Sequence, residues 1–337
     1  MSEPQQRRPV AVTGLSVLTA LGRGPEAQLS GVPAFSEVRR FDTNALRVRY
    51  AALAAEPGTL EEELDLAIAT ACAQTGVDRN ATPLLLALHS APAFDFGQAR
   101  VYTSACVSGS TALADAAALI SSGRAERIVV AGGYLVEPYQ FALFDAGRAL
   151  ADDNVVRPFS LHRRGTLLGD GVAAVVLEAG AGQAQLMGWS RTGDAYHPCQ
   201  PAPDGRGLAS AIERALAKAG VPAEAIGYVN ANATGTAFSD AAEAAALGAV
   251  FESSPPVSST KSLHGHALEG SGVVEFVVTV QALLEGKLPV NGGFLEADPS
   301  CGLDLILDAP RRAGSAYGLT VNSAFGGANT ALVVRAG

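Results

Sequence analysis

The stretch Val101-Tyr102-Thr103-Ser104-Ala105-Cys106-Val107-Ser108-Gly109-Ser110 decides how the chain is read. A short strand-like pair leads into small residues, then a cysteine, then an alanine-rich helical segment from Ser108 to Ser122. Cys106 therefore falls close to a helix N-terminus, where the helix dipole and unpaired N–H groups favour a thiolate. The small neighbours leave room for a substrate to approach, and the backbone N–H groups there can hold a thioester oxyanion. The competing reading is a plain core cysteine, because cysteine is among the most buried residue types.

Outward from this stretch, strand-like and helix-like segments alternate. Pro9 to Leu15 reads as a strand ending in Thr-Gly, and Leu60 to Thr75 as an amphipathic helix with acidic residues in its first turn. Leu84 to Leu88, Arg127 to Ala131 and Gly171 to Ala179 read as strands buried on both faces. Ala179-Gly180-Ala181-Gly182 is the most linker-like stretch, and it divides the chain into 1–180 and 181–337. Beyond it the style repeats. Gln185 to Arg191 and Ile226 to Ala231 are strands, and Gly207 to Ala219, Asp240 to Phe251 and Gly272 to Leu284 are helices. Tyr317 to Asn322 and Ala331 to Arg335 form a closing hairpin. The expected fold is a duplicated α/β architecture.

Bulk properties narrow the function. The 337 residues are 48% hydrophobic with 37 glycines, but no apolar run approaches the roughly 20 residues that span a bilayer. The polar start, Met1 to Arg8, has no apolar signal-peptide core behind it, and the four cysteines show no paired spacing. A reducing cytoplasm is the expected location. Net charge is −9 without a long basic run, which argues against a nucleic-acid surface. Arg163-Arg164 and Arg311-Arg312 are candidate local basic patches for an acidic carrier protein. His264 and His266 have no carboxylate or cysteine at a ligand spacing, so no metal is expected. There is neither a Walker motif nor a dinucleotide fingerprint.

A nucleophilic cysteine needs polar partners from elsewhere in the fold. Two segments offer them: Tyr228-Val229-Asn230-Ala231-Asn232-Ala233-Thr234-Gly235-Thr236, and Ser259-Thr260-Lys261-Ser262-Leu263-His264-Gly265-His266 followed by a helix carrying Glu275. With these in place the chain resembles the β-ketoacyl synthases of the fatty-acid and polyketide type, in the thiolase superfamily. Val10 to Val17 looks like that family's first strand, and Thr103 to Gly109 like its nucleophile motif. Arg157-Pro158-Phe159 and Gly169-Asp170-Gly171 look like its "RPFD…GEGA" segment, with Ser160 and Asp170 as departures. Asp194 to His197 and Asp204-Gly205 match another recurrent stretch, and Lys261 to His266 fits K-x-x-x-G-H. The Ser-Ala-Phe-Gly-Gly turn within Asn322 to Asn329 is closest to the aromatic-polyketide branch.

The resemblance implies a thiolase-like αβαβα sandwich and a set of roles. Cys106 is the acylated nucleophile, His266 an active-site histidine, Lys261 its supporting lysine and Glu275 a structural glutamate. Lys261 and Glu275 orient His266 and its loop. Backbone N–H groups near Cys106 and at Phe325 and Gly326 form the oxyanion hole, and Thr234 and Thr236 line the pantetheine channel. No cofactor is implied. The substrates ride on the phosphopantetheine of an acyl carrier protein, and the enzyme works as a homodimer or heterodimer.

Two departures qualify this. Asn232 stands where the family's "NAHGTxT" motif has a histidine, and an asparagine donates a hydrogen bond but carries no proton. Some related synthases use one histidine and one asparagine with the positions swapped, whereas ketosynthase domains lacking this histidine in modular assembly lines are generally non-elongating. Cys106 also comes several tens of residues early, the shortfall lying between Phe41 and Val101, and Ser323 falls near a bulky gating phenylalanine of relatives. Three activities follow: condensation with a malonyl thioester, acyl transfer without decarboxylation, or a non-catalytic chain-length-factor-like partner.

Overall fold

A computed structural model describes residues 7–90, 96–97 and 99–337. Residues 91–95 and 98, within the shortened Phe41–Val101 segment, lie outside the described residues, as does most of the polar start. In chain order the principal strands are β1 Val10–Thr19, β2 Leu84–Ala87, β3 Arg100–Tyr102, β4 Arg127–Tyr134 and β5 Gly171–Ala179. They continue with β6 Ala184–Gly193, β7 Ile226–Asn230, β8 Pro256–Ser258, β9 Tyr317–Ser323 and β10 Ala328–Ala336. The helices are α1 Leu60–Ala73, α2 Ser108–Ser121, α3 Pro138–Ala146, α4 Arg206–Ala219, α5 Ala237–Val250, the single turn α6 Lys261–His264, and α7 Ser271–Leu284.

The strand order repeats. It runs β3-β2-β4-β5-β1 in the first half and β8-β7-β9-β10-β6 in the second. In each half the first three strands are parallel and the last two pair antiparallel. The halves join where Ala11 and Val12 of β1 face Gln185 and Ala184 of β6. Gly22–Arg23 on β1 and Asp304–Leu305 on β8 complete a 12-stranded sheet.

Side-chain alternation assigns the layers. Along β5, Ala173, Val175 and Leu177 face the central core while Val172, Ala174 and Val176 pack under α1. Along β10, Leu332 and Val334 face the centre while Ala331 and Val333 pack under α4. Helices α2 and α7 touch strands of both halves and so form the middle layer. This is the αβαβα sandwich. The near-continuous apolar runs read from the sequence follow from burial of the strands on both faces.

One expectation fails locally. β1 does not stop at Thr13-Gly14 but continues to Thr19, with a bulge between Val12 and Gly14. A Cβ on Gly14 would lie 2.2 Å from the Ala71 carbonyl oxygen, so this glycine admits α1 rather than ending the strand. Helix α5 likewise starts at Ala237 rather than Asp240, and α3 was not foreseen.

The middle layer positions the site. Helices α2 and α7 cross near their N-termini, where a Cβ on Gly272 would sit 2.3 Å from the Ser110 nitrogen. One on Gly109 would sit 2.8 Å from the Val273 nitrogen. The obstacles are backbone, which cannot rotate away. Gly272→Ala is therefore expected to lower stability by about 1–3 kcal/mol, read from the urea midpoint. An unchanged midpoint would mean that the crossing can open.

Candidate active site

The parallel strands deliver the chemistry at their carboxyl ends, as open α/β sheets do. Cys106 lies on the turn Ala105–Val107 between β3 and α2, and Ala105 takes a left-handed φ of +51°. A non-glycine residue in that region marks a sharp turn held by its surroundings. Only 9% of Cys106 is exposed. Its Sγ lies 3.2 Å from His266 Nε2, and His266 Nδ1 lies 2.9 Å from Ser271 Oγ at the start of α7.

The expected thiolate is not the resting form. Burial, and then the charge of Glu269, push the Cys106 thiol up to about 12. Burial, with Lys261 and His264 adding to it, holds His266 well below the usual imidazole range. The pair is thus a neutral thiol beside a neutral imidazole. Ser271 serves either tautomer of the ring: with Nδ1–H donating to its hydroxyl, Nε2 accepts from the thiol, and with Nδ1 accepting from its hydroxyl, Nε2–H becomes a donor. His266 is placed to take the thiol proton as the sulfur attacks. Ser271, which the motif reading passed over, holds the ring.

Beside this pair lies a buried polar network. Lys261 Nζ is 2.5 Å from Glu275 Oε1 and donates to Asn232 Oδ1 at 3.2 Å, with both side chains of the ion pair fully buried. Asn322 Nδ2 donates to Glu275 Oε2 at 2.6 Å. The contacts of Lys261 run to Asn232, while His266 takes its orientation from Ser271. Because the ammonium can only donate, it fixes the Asn232 amide with its oxygen inward. The amide nitrogen makes no hydrogen bond among the described residues and is left as a donor. The Asn232 backbone N–H is tied to Glu243 Oε1 at 2.7 Å.

The following loop is built on Asp240. Its carboxylate accepts from the N–H groups of Thr234 at 3.1 Å, Gly235 at 3.2 Å and Phe159 at 2.9 Å. The Thr234 and Thr236 hydroxyls lie 3.1 Å apart. Asp170, a departure in the motif reading, is likewise structural: it binds Arg40 and accepts from the N–H groups of Ala54 and Val136.

Two further expectations change. Gly326 is not an open oxyanion donor, because its N–H donates to the Pro198 carbonyl at 2.7 Å. Ala324 and Gly327 also spend their N–H groups within the turn, which leaves Phe325. Asp194 clamps this turn, donating from its N–H to Gly327 O and accepting from Asn329 Nδ2. Arg163 is no docking cation: its side chain is 7% exposed and pairs with Asp298 and Asp240. His264 is buried with Nδ1 3.0 Å from the Gly265 carbonyl, and burial lowers it to about 4. Ser323, near the position where relatives have a bulky gating phenylalanine, donates its hydroxyl to Asn329 Oδ1.

Comparison with known proteins identifies the family. The family model "Beta-ketoacyl synthase, N-terminal domain" matches residues 91–181, and "Beta-ketoacyl synthase, C-terminal domain" matches 183–294. A 3-oxoacyl-[acyl-carrier-protein] synthase 2 of Synechocystis is 36% identical over 248 residues, 68% of this chain and 60% of that protein. The chain thus aligns with about 60% of the length of the curated relatives it matches. A crystal structure of a β-ketoacyl synthase from Burkholderia phymatum is 26% identical, with a TM-score of 0.86 over 98% of this chain and 100% of that one. The ishigamide ketosynthase/chain length factor, at 24% identity and a TM-score of 0.89 over the same shares, has the same fold. The repeated sheet, the Cys106–His266 pair and the two matched family models lead to one assignment: this chain belongs to the β-ketoacyl synthase family of the thiolase superfamily.

Proposed function

We propose that the chain is a decarboxylating condensing enzyme that carries an acyl group on Cys106. The observation that carries this reading is the Asn232 amide, held by Lys261 so that its nitrogen remains a donor. A donor there suits the carbonyl oxygen of a malonyl thioester, with His266 Nε2–H as the second donor once Cys106 is acylated and Nδ1 accepts from the Ser271 hydroxyl. The 3.2 Å approach of Cys106 to His266 speaks against an inert chain-length-factor role.

The cycle has two half-reactions. In the first, the Cys106 sulfur attacks an acyl thioester on the phosphopantetheine of an acyl carrier protein. His266 takes the thiol proton and returns it to the departing pantetheine thiol. The backbone N–H groups of Cys106 and Phe325 would hold the oxyanion, and losing one such donor costs about 10²–10³ in rate. In the second, malonyl thioester loses carbon dioxide, and Asn232 and His266 stabilise the enolate oxygen. The enolate carbon attacks the acyl-cysteine, the C–S bond breaks, and the Cys106 thiolate that leaves takes a proton from water. The threonines at 234 and 236 would flank the pantetheine arm. Nothing in this cycle draws on a metal or a redox cofactor.

A cytoplasmic location, a carrier-protein donor and assembly as a homodimer or heterodimer belong to the same reading. So does the division into thiolase-like halves at 1–180 and 181–337, which the repeated strand order supports. No helix among the described residues is long and apolar enough to cross a membrane.

The test uses acyl carrier protein charged first with a short acyl group and then with malonyl. Added mass on Cys106, carbon dioxide and β-ketoacyl product are the readouts. Asn232→Ala is expected to slow carbon dioxide release about 10²–10³-fold while acylation stays within a few-fold. Acylation without carbon dioxide in the unaltered protein would replace condensation by acyl transfer.

A further inference from the structure

Glu269 plays no part in the cycle above, yet it is a buried carboxylate next to the nucleophile. It lies on the turn Leu268–Gly270, where Leu268 has a φ of +44°, and this turn packs against the Ala105–Val107 turn that carries Cys106. Gly270 backs onto the end of β4, where a Cβ on it would meet Gly133 Cα at 2.9 Å. Glu269 is 5% exposed. Its Oε1 lies 3.1 Å from His89 Nδ1, and its Oε2 is buried without a partner among the described residues. Half of the His89 side chain is exposed, whereas that of Glu269 is buried.

This carboxylate does not activate Cys106. Of the charges acting on the thiol, Glu269 is the first, and it pushes the thiol up, against thiolate formation. Its open oxygen therefore has another use. A carboxylate packed against a saturated hydrocarbon chain is costly, roughly 2–7 kcal/mol for an unpartnered polar group and more for a charge. A carboxylate also accepts only, so a keto oxygen brings it nothing. The complementary ligand is a group that donates.

Building on the condensing reading, we infer that Cys106 is loaded with acyl groups bearing a hydrogen-bond donor, a hydroxyl or an amine, which Glu269 Oε2 accepts. The loading step is unchanged: the thioester bond to pantetheine breaks, the Cys106 thioester forms, and the chain's donor stays intact.

The test compares loading of the full protein by butanoyl, 3-hydroxybutanoyl and 3-aminopropanoyl thioesters of acyl carrier protein, read as kcat/KM for added mass on Cys106. At least one donor-bearing chain is expected to load about tenfold or more faster than butanoyl, since sites built to bond a hydroxyl or amine reject analogues lacking it strongly. The two arms distinguish hydroxyl from amine. Glu269→Leu is expected to erase the preference and raise butanoyl loading, and Glu269→Gln, close to it in shape, to reduce the preference several-fold. Equal or faster loading by butanoyl in the unaltered protein, or a preference that survives Glu269→Leu, overturns the inference and leaves the condensing reading intact. Failure of all three thioesters to load Cys106 overturns both.

Discussion

Cys106→Ala is expected to abolish covalent loading and to lower condensation by at least about 10⁴-fold, because no other cysteine Sγ has an imidazole partner among the described residues. Cys72 and Cys301 are buried, and the exposed Cys199 meets the His197 ring through its backbone N–H, which donates to Nδ1 at 3.1 Å. His266→Ala is expected to slow loading about 10²–10⁴-fold without abolishing it, since the base is lost while the sulfur remains. The pH profiles separate the two roles. The neutral form of His266 is the base, and burial holds the ring well below the usual range. Loading by the unaltered protein should therefore be nearly flat between pH 6.5 and 8.5, roughly the interval above an ordinary imidazole and below an ordinary thiol. In His266→Ala only thiolate can attack, and with burial pushing the thiol up to about 12, the rate should rise about tenfold per pH unit. A flat profile in His266→Ala would mean that another base serves Cys106. Mass spectrometry of the trapped intermediate at several pH values reads both outcomes.

How much of this could be read from the residues is set by where the information lies. Cys106 was legible because a short strand, small residues and an alanine-rich helix occur consecutively, and local sequence specifies that geometry. The alternation of strands and helices also carried the duplicated fold, since burial on both faces leaves unbroken apolar runs. What failed was what depends on distant packing. Thr13-Gly14 looks like a turn, but Gly14 is small because α1 crosses it. Arg163-Arg164 looks like a surface patch, but Arg163 is bound from the side by Asp298 and Asp240. Gly326 fits the oxyanion turn by motif, yet only the fold brings the Pro198 carbonyl to its N–H. The thiolate expected at the start of α2 fails for the same reason: the dipole is local, whereas the burial and the charge of Glu269 are not. Glu269 and Ser271 lie within a few residues of the histidine motif, and no spacing rule singles them out.

Lys261→Met is expected to be the most destabilising change at the site. It removes the cation from a pair in which both side chains are fully buried, and it leaves Glu275 with Asn322 as its side-chain partner. Breaking a buried pair on one side costs about 3–5 kcal/mol, because the remaining charge is uncompensated. The pH dependence has a definite sign. Burial raises the Glu275 carboxyl above its ordinary value, and Lys261 is the leading influence opposing that rise. Without Lys261 the carboxyl rises further, so folding binds a proton that the unfolded chain has released. Stability then falls as pH increases above about 4.5, and the variant comes nearest to the unaltered protein at acid pH. Glu243, pushed up to about 8 by burial, is also held down by the charge of Lys261, so losing the cation raises it further and adds to the slope with the same sign. Urea unfolding at pH 5 and pH 8 reads the effect, and a gap that narrows toward pH 8 would refute it. Lys261→Met combined with Glu275→Gln removes both charges and should recover most of the stability, since a neutral amide can still accept from Asn322. Condensation should not return with it. The Asn232 amide has then lost the ammonium that fixes its oxygen inward, and its donor no longer has a set direction. Recovered stability without recovered carbon dioxide release would show that the buried lysine serves the orientation of Asn232 as well as the fold.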